Sequence, residues 1–299
     1  EILIGLVGSE MCIRDRRRKI AMVWDLDDPF WYPATKQAYR TAKILNFDIT
    51  VFAPKGRGEA GTLEMVHFLK KVLEERYDGI CISPIADLRV EKLLQKMAEK
   101  GVEVIFILSA FDSVPYRTLI GTDSYQCGRS TGEAVREALG ADGAVGIIKW
   151  KDNLIETVED RYHGVVDVLK ENRIPYYDMT GPGEPTAEEA TKLTDRLLTE
   201  HPDISVLCAT NVGWGLAFAR YLKSKGKKVK LVTVDFTDEV GEFMKAGYVD
   251  AAIAQRPESW GSMTLEKIEA VFEGQSIPKT IDTGTYPVTP ANIRIYVKD

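Results

Sequence analysis

With 299 residues, 44% hydrophobic and 28% charged, the chain can bury more than one core of ordinary composition. Its net charge of -6, with acids and bases interspersed, provides no basic stripe to neutralise a phosphate backbone, so no nucleic-acid partner is expected for this segment. No apolar run approaches the ~20 residues needed to cross a bilayer.

The chain opens "EILIGLVGSEMCIRDRRR", an apolar run ahead of the cations, which reverses the order of a signal peptide. Leu6 to Arg16 reverse-translates to a transposon-derived sequencing adaptor, so residues 1–16 are read as an artefact that carries no fold information. From Lys19 the pattern becomes regular. Apolar runs at 19–25, 48–54, 78–84 and 102–109 read as strands, and 3–4 spaced apolar positions at 32–45, 62–77 and 89–101 read as helices. The strands are continuously apolar, as when helices cover both faces of a parallel sheet.

After "RTLIGTD" the alternation restarts. Helices are expected at 124–139, 155–172, 187–200, 213–226, 238–247 and 261–274, with strands at 143–150, 174–180, 204–210, 229–235 and 249–255, followed by a terminal tail. Two successive units of similar size predict an α/β chain of two doubly wound parallel-sheet lobes. With no low-complexity linker between them, the hinge is expected in three short segments near Gly121–Asp123, Ala254–Arg256 and Ile281–Gly284.

Ligands of open parallel sheets sit beyond the carboxyl ends of the strands. The first strand is followed there by Asp28, Phe30 and Trp31, and the fourth by Ser109. Later strand ends carry Trp150 and Lys151, Asn211 with Trp214 close by, Asp235, and Gln255. Hydroxyl groups donate and accept together, and the C–H face of a sugar packs on an aromatic ring, so planar polar side chains beside exposed aromatics suit a polyhydroxylated ring. Each polar residue taken alone also reads as a helix N-cap.

Several segments together resemble the ribose/galactose-type periplasmic sugar-binding proteins of bacterial ABC importers, over essentially all of residues 19–293. They are "DDPFWYPATKQAYRTA", "IGTDSYQCGRSTGEAV", "VEDRYHGV", "ATNVGWGLA", "LVTVDFTDE" and, most specifically, "AAIAQRPESWG". The resemblance implies the type I periplasmic-binding-protein fold, with lobes of residues 17–121 plus 256–281 and 122–255 plus 282–299. Asp28, Phe30 and Trp31 would contact ligand from the first loop, and Arg161, Asn211, Asp235 and Gln255 would form the polar ring. It further implies a non-enzymatic monomer, periplasmic or a cell-surface lipoprotein, that needs no cofactor or metal. Such a protein closes two lobes on a monosaccharide or polyol and delivers it to a membrane ABC permease. The chain departs from the pattern at Ser109-Ala110, where the ribose branch has Asp-Arg, at Asp28 in place of Asn, and at Val212 in place of Asp. Ribose itself is therefore not the expected ligand.

Two other readings compete with this one. "GRGEAG" (Gly56, Gly58, Gly61) has the G-x-G-x-x-G spacing of a dinucleotide loop, but it follows the second strand, and no acidic residue ends the next one. The effector-sensing core of a lac-repressor-type regulator shares the fold, and its DNA-binding segment would lie upstream of Lys19. The cysteines (Cys12, Cys81, Cys127, Cys208) form no C-x-x-C, Cys12 falls in the segment read as an artefact, and Cys81 and Cys208 lie in apolar runs where they read as small hydrophobes. His67, His163 and His201 read as helix-surface residues.

Overall fold

A computed structural model describes residues 16–27, 29–140, 142–150, 156–182 and 185–296. Its first elements are β1 (Lys19–Val23), α1 (Tyr32–Ile44), β2 (Asp48–Phe52), α2 (Glu59–Glu74), β3 (Gly79–Ile82), α3 (Leu88–Glu99), β4 (Glu103–Ile107) and β5 (Thr118–Gly121). There follow α4 (Ser124–Leu139), β6 (Ala144–Trp150), α5 (Glu156–Glu171), β7 (Tyr176–Gly181), α6 (Ala187–Glu200) and β8 (Ile204–Ala209). The last are α7 (Val212–Lys225), β9 (Lys230–Val234), α8 (Asp238–Lys245), β10 (Ala251–Ala254), α9 (Pro257–Phe272), β11 (Thr280–Asp282) and β12 (Tyr286–Val288).

The strands form two six-stranded sheets, ordered β11-β5-β4-β3-β1-β2 and β12-β10-β9-β8-β6-β7. Every pairing is parallel except β10 with β12. Each sheet belongs to its own compact unit. The first unit runs to Gly121 and resumes over Pro257–Asp282, and the second covers Thr122–Arg256 and resumes at Thr283.

In the first unit, α1 and α9 cover one face of the sheet around Ile20, Met22, Ile105 and Trp260. On the other face α2 and α3 bury Met65, Leu69, Leu94 and Met97 against Ile80 and Phe106. The second unit repeats this arrangement. Trp214, Phe218 and Leu222 of α7 pack with Leu197 of α6 on one face, and Val165 and Leu169 of α5 pack with Val135 of α4 on the other. Burial on both faces is what made these strands continuously apolar in the sequence.

The structure differs from the sequence reading in several places, among them β5, which the sequence reading did not include. The tail contains β11 and β12, three-residue strands completing the sheets beside β5 and β10. α9 starts at Pro257 rather than Gly261, because proline suits a first helical position whose N–H has no intrahelical partner. The first strand stops at Val23, short of Asp25. Among the described residues no helix is long and apolar enough to cross a membrane.

Candidate functional site

In the second unit, β10, β9, β8 and β6 are consecutive in the sheet, so their carboxyl ends form a row at roughly 4.8 Å spacing. Gln255, Asp235, Asn211 and Trp150 occupy that row. Gln255 is buried and donates from Nε2 to Asp235 Oδ1 at 2.7 Å, while its Oε1 is buried without a partner. The Asp235 amide donates to the Ile253 carbonyl at 2.9 Å, and its backbone is held at φ 68°. That left-handed conformation costs a non-glycine residue on the order of 1 kcal/mol, and such strain concentrates at functional positions.

Arg161 of α5 is only 5% exposed. Its Nη1 donates to the Thr210 carbonyl at 3.4 Å, its buried Nε has no partner, and it makes no ion pair among the described residues. An isolated buried cation is costly unless something supplies acceptors. Two glycines let α5 bring it there. A Cβ on Gly128 of α4 would lie 2.1 Å from the Arg161 carbonyl oxygen, and one on Gly164 would lie 2.2 Å from the Tyr125 carbonyl oxygen. Trp150, half-buried, carries a further unpartnered buried donor at Nε1. Asn211 is the N-cap of α7, its Oδ1 accepting from the Trp214 amide at 3.0 Å, and its side-chain amide makes no hydrogen bond among the described residues.

Two of the expected exposed aromatics are corrected. Trp31 is 3% exposed and stacks on Trp24, with centroids 4.8 Å apart at 7°, while Trp260 closes on it at 5.6 Å. Trp214 is 1% exposed, sits in the core beside Phe218, and donates from Nε1 to the Pro182 carbonyl at 2.9 Å. A large flat side chain buries more apolar area in a core than at a rim, and both tryptophans found helix and strand partners there. Phe30 remains half-buried, edge-on to Trp31 and Trp260. Trp150 and Phe30 are thus the aromatics of the expected set with exposed surface.

Ser109 is half-buried past β4, its amide donating to the Ile107 carbonyl at 2.8 Å. The residue before it escaped the sequence reading. Leu108 has φ 64°, rare for a bulky side chain, and a Cβ on Gly121 would meet its backbone nitrogen at 2.9 Å. Asp28 and Lys151 lie outside the described residues.

The "GRGEAG" loop has its anion-binding amides already engaged. Lys55 and Gly56 donate their N–H groups to Glu64, at 2.9 and 3.2 Å. A phosphate would have to displace that carboxylate, and Gly58 (φ 56°) and Gly61 serve the tight turn into α2. Cys81, Cys127 and Cys208 are buried and unbridged, and burial pushes the Cys81 and Cys208 thiols up to about 12. Among the described residues no group of acidic, histidine and cysteine side chains could hold a metal.

A family model described as a periplasmic binding protein domain matches residues 20–276. The ribose import binding protein RbsB of Haemophilus influenzae is 24% identical, over 94% of this chain and 94% of its own. The fold is shared with an ABC transporter solute-binding protein from Burkholderia graminis in complex with D-arabinose. That likeness has a TM-score of 0.83 at 23% identity and covers 94% of this chain and 98% of the other. It is shared also with a solute-binding protein from Agrobacterium vitis bound to alpha-D-tagatopyranose, with a TM-score of 0.82 at 23% identity over 93% and 96% of the two chains.

Proposed function

Because the chain belongs to the periplasmic binding protein domain family, matched over residues 20–276, we propose that it is the substrate-binding component of an ABC importer and captures a monosaccharide or related polyol. One observation carries the ligand class. The row at the ends of β10, β9 and β6 holds unsatisfied donors and acceptors (Gln255 Oε1, Trp150 Nε1) beside the Asp235 carboxylate, with Arg161 Nε likewise unpartnered in the same unit. Sugar hydroxyls act in both directions, donating to Asp235 and Gln255 Oε1 and accepting from Arg161, Trp150 and the Asn211 amide. The pyranose or furanose C–H face needs an aromatic neighbour, supplied in this reading by Trp150.

On the first unit, the family resemblance offers Asp28 and Phe30, and the strand-end rule Ser109, as candidate ligand contacts. A ligand bound by groups of both units favours the closed state over the open one by the difference in contacts, and that difference signals occupancy to the permease. Ser109-Ala110 removes a charged pair from the ribose-type set, so pentose and hexose ligands other than ribose are favoured. RbsB of Haemophilus influenzae is named for ribose import, and the two solute-binding proteins hold D-arabinose and tagatopyranose, which supports a small sugar as the ligand class. The protein works outside the cytoplasmic membrane, as a monomer and without catalysing a reaction.

The test is a thermal-shift screen of pentoses, hexoses, deoxysugars and polyols, followed by calorimetry. A true ligand at a hundred times its Kd stabilises by about 2.7 kcal/mol. Asp235→Ala should abolish that gain while the unliganded protein stays folded. If no sugar or polyol shifts the melting curve, the ligand class is wrong. An upstream genomic segment encoding a helix-turn-helix would overturn the importer reading in favour of an effector-sensing regulator core.

A further inference from the structure

On the side of the first unit covered by α2 and α3, a groove of about 450 Å³ runs between the two helices. Its sides carry Lys70 and Arg76 from the α2 end and Lys96 and Lys100 from the α3 end, with Leu73 and Leu93 half-buried between them. Glu74 is the one acid among the lining residues. None of these four cations makes an ion pair among the described residues. Other cations of this unit are paired: Lys71 with Glu75 at 3.5 Å, Arg89 with Glu59 at 2.7 Å, and Arg117 with Glu103 at 2.5 Å.

Two features of this arrangement cost local stability, set against the favourable dipole interaction that cations gain at a helix C-terminus. Lys92, Lys96 and Lys100 follow one another at four-residue spacing, all exposed, and like charges at that spacing oppose the helix by roughly 0.2–0.5 kcal/mol per pair. Arg76 sits just past the C-cap of α2 at φ 55°, a conformation that glycine would adopt without strain. The chain as a whole carries -6, so the cationic groove runs against its net charge.

We propose that this groove docks an acidic segment of a partner protein, one whose carboxylates flank a single apolar side chain. The carboxylates meet Lys70, Arg76, Lys96 and Lys100, and the apolar side chain covers Leu73 and Leu93. A groove between two helices lined by both cations and leucines suits an inserted chain better than a flat lipid surface, and charge complementarity of this kind mainly sets encounter rate and register. Docking in this groove is independent of which ligand the strand-end row holds.

The experiment uses the full chain and a fluorescein-labelled peptide of glutamates with one central leucine. Anisotropy should report saturable binding that weakens with added salt. Amide chemical-shift changes should concentrate on α2 and α3. Lys96→Glu combined with Arg76→Glu should weaken binding about tenfold or more, whereas Lys36→Glu on the exposed face of α1 should not. The peptide in which serine replaces leucine should bind more weakly. Equal weakening by Lys36→Glu, shifts spread over all basic surfaces, or binding to phosphatidylglycerol vesicles but not to the peptide would each overturn the proposal. Circular dichroism of each variant separates loss of docking from loss of fold.

Discussion

In the proposed reading, Arg161 is the residue at which folding and binding pull apart. A guanidinium 5% exposed, with one long contact to a carbonyl and no carboxylate, lowers the stability of the empty protein. Exchanging a buried charge for an apolar side chain of similar length is often stabilising, by about 1–3 kcal/mol. Arg161→Met is therefore expected to raise the melting temperature of the unliganded protein and remove its response to sugar. A lowered melting temperature would show that the Thr210 contact is structural instead. Trp31 behaves in the opposite way. Packed between Trp24 and Trp260, it should cost about 3–5 kcal/mol when replaced by alanine, visible as a lower denaturation midpoint with no sugar present. Asp235 and Gln255 were legible as polar groups at strand ends, because the rule for parallel sheets requires only strand order, whereas Arg161, inside a helix, was suggested by the family resemblance alone. The sequence reading misjudged Trp31 and Trp214, since an aromatic at a strand end can face either way, and the partner that buries Trp31 lies on α9, remote in sequence. Leu108 left no sequence signal, because its strain is a backbone property.

Helices and strands with long apolar periodicity were legible, and so was their order. β11 and β12 were not, because Thr280–Asp282 and Tyr286–Val288 carry only one fully buried residue between them and owe their strand character to pairing with β5 and β10. Such short strands are made by their neighbours rather than by their own residues. The contact between α4 and α5 shows the converse, a packing requirement written directly in the sequence as "CGRSTG" and "YHGV". Gly128 and Gly164 permit helix backbones to touch where any side chain would collide. Gly128→Ala should destabilise by about 1–3 kcal/mol and, because α5 carries Arg161, should weaken sugar binding more than an equally destabilising change on α2. Calorimetry of the two variants, matched for melting temperature, checks this. Equal affinities would mean that the helix spacing matters to stability alone.

At the scale of the molecule, each unit has its own sheet and cores, and thiols report on both. Cys81 belongs to the first sheet and Cys208 to the second, and burial raises both to about 12, far from the range in which a thiolate reacts. A disulfide reagent in mildly alkaline buffer should leave both unlabelled in the native protein and modify both in denaturant, with mass spectrometry assigning the sites. Rapid native labelling of either would mean that its sheet opens at low free-energy cost. If the strand-end row binds sugar as proposed, sugar should slow whatever labelling is seen at Cys208, because binding stabilises the native sheet that carries the row. The tryptophan cluster has a temporal consequence as well. Trp24 and Trp31 emerge early from the ribosome, whereas Trp260, on α9, emerges only after the whole first stretch of the second unit. Until then the first sheet lacks β11 and the helix that covers α1, so the Trp24–Trp31 stack lacks the Trp260 ring that completes its packing. Vectorial synthesis therefore keeps the leading half of the chain unfinished until nearly all of it exists, which is the condition a polypeptide must be in to be threaded through a translocon.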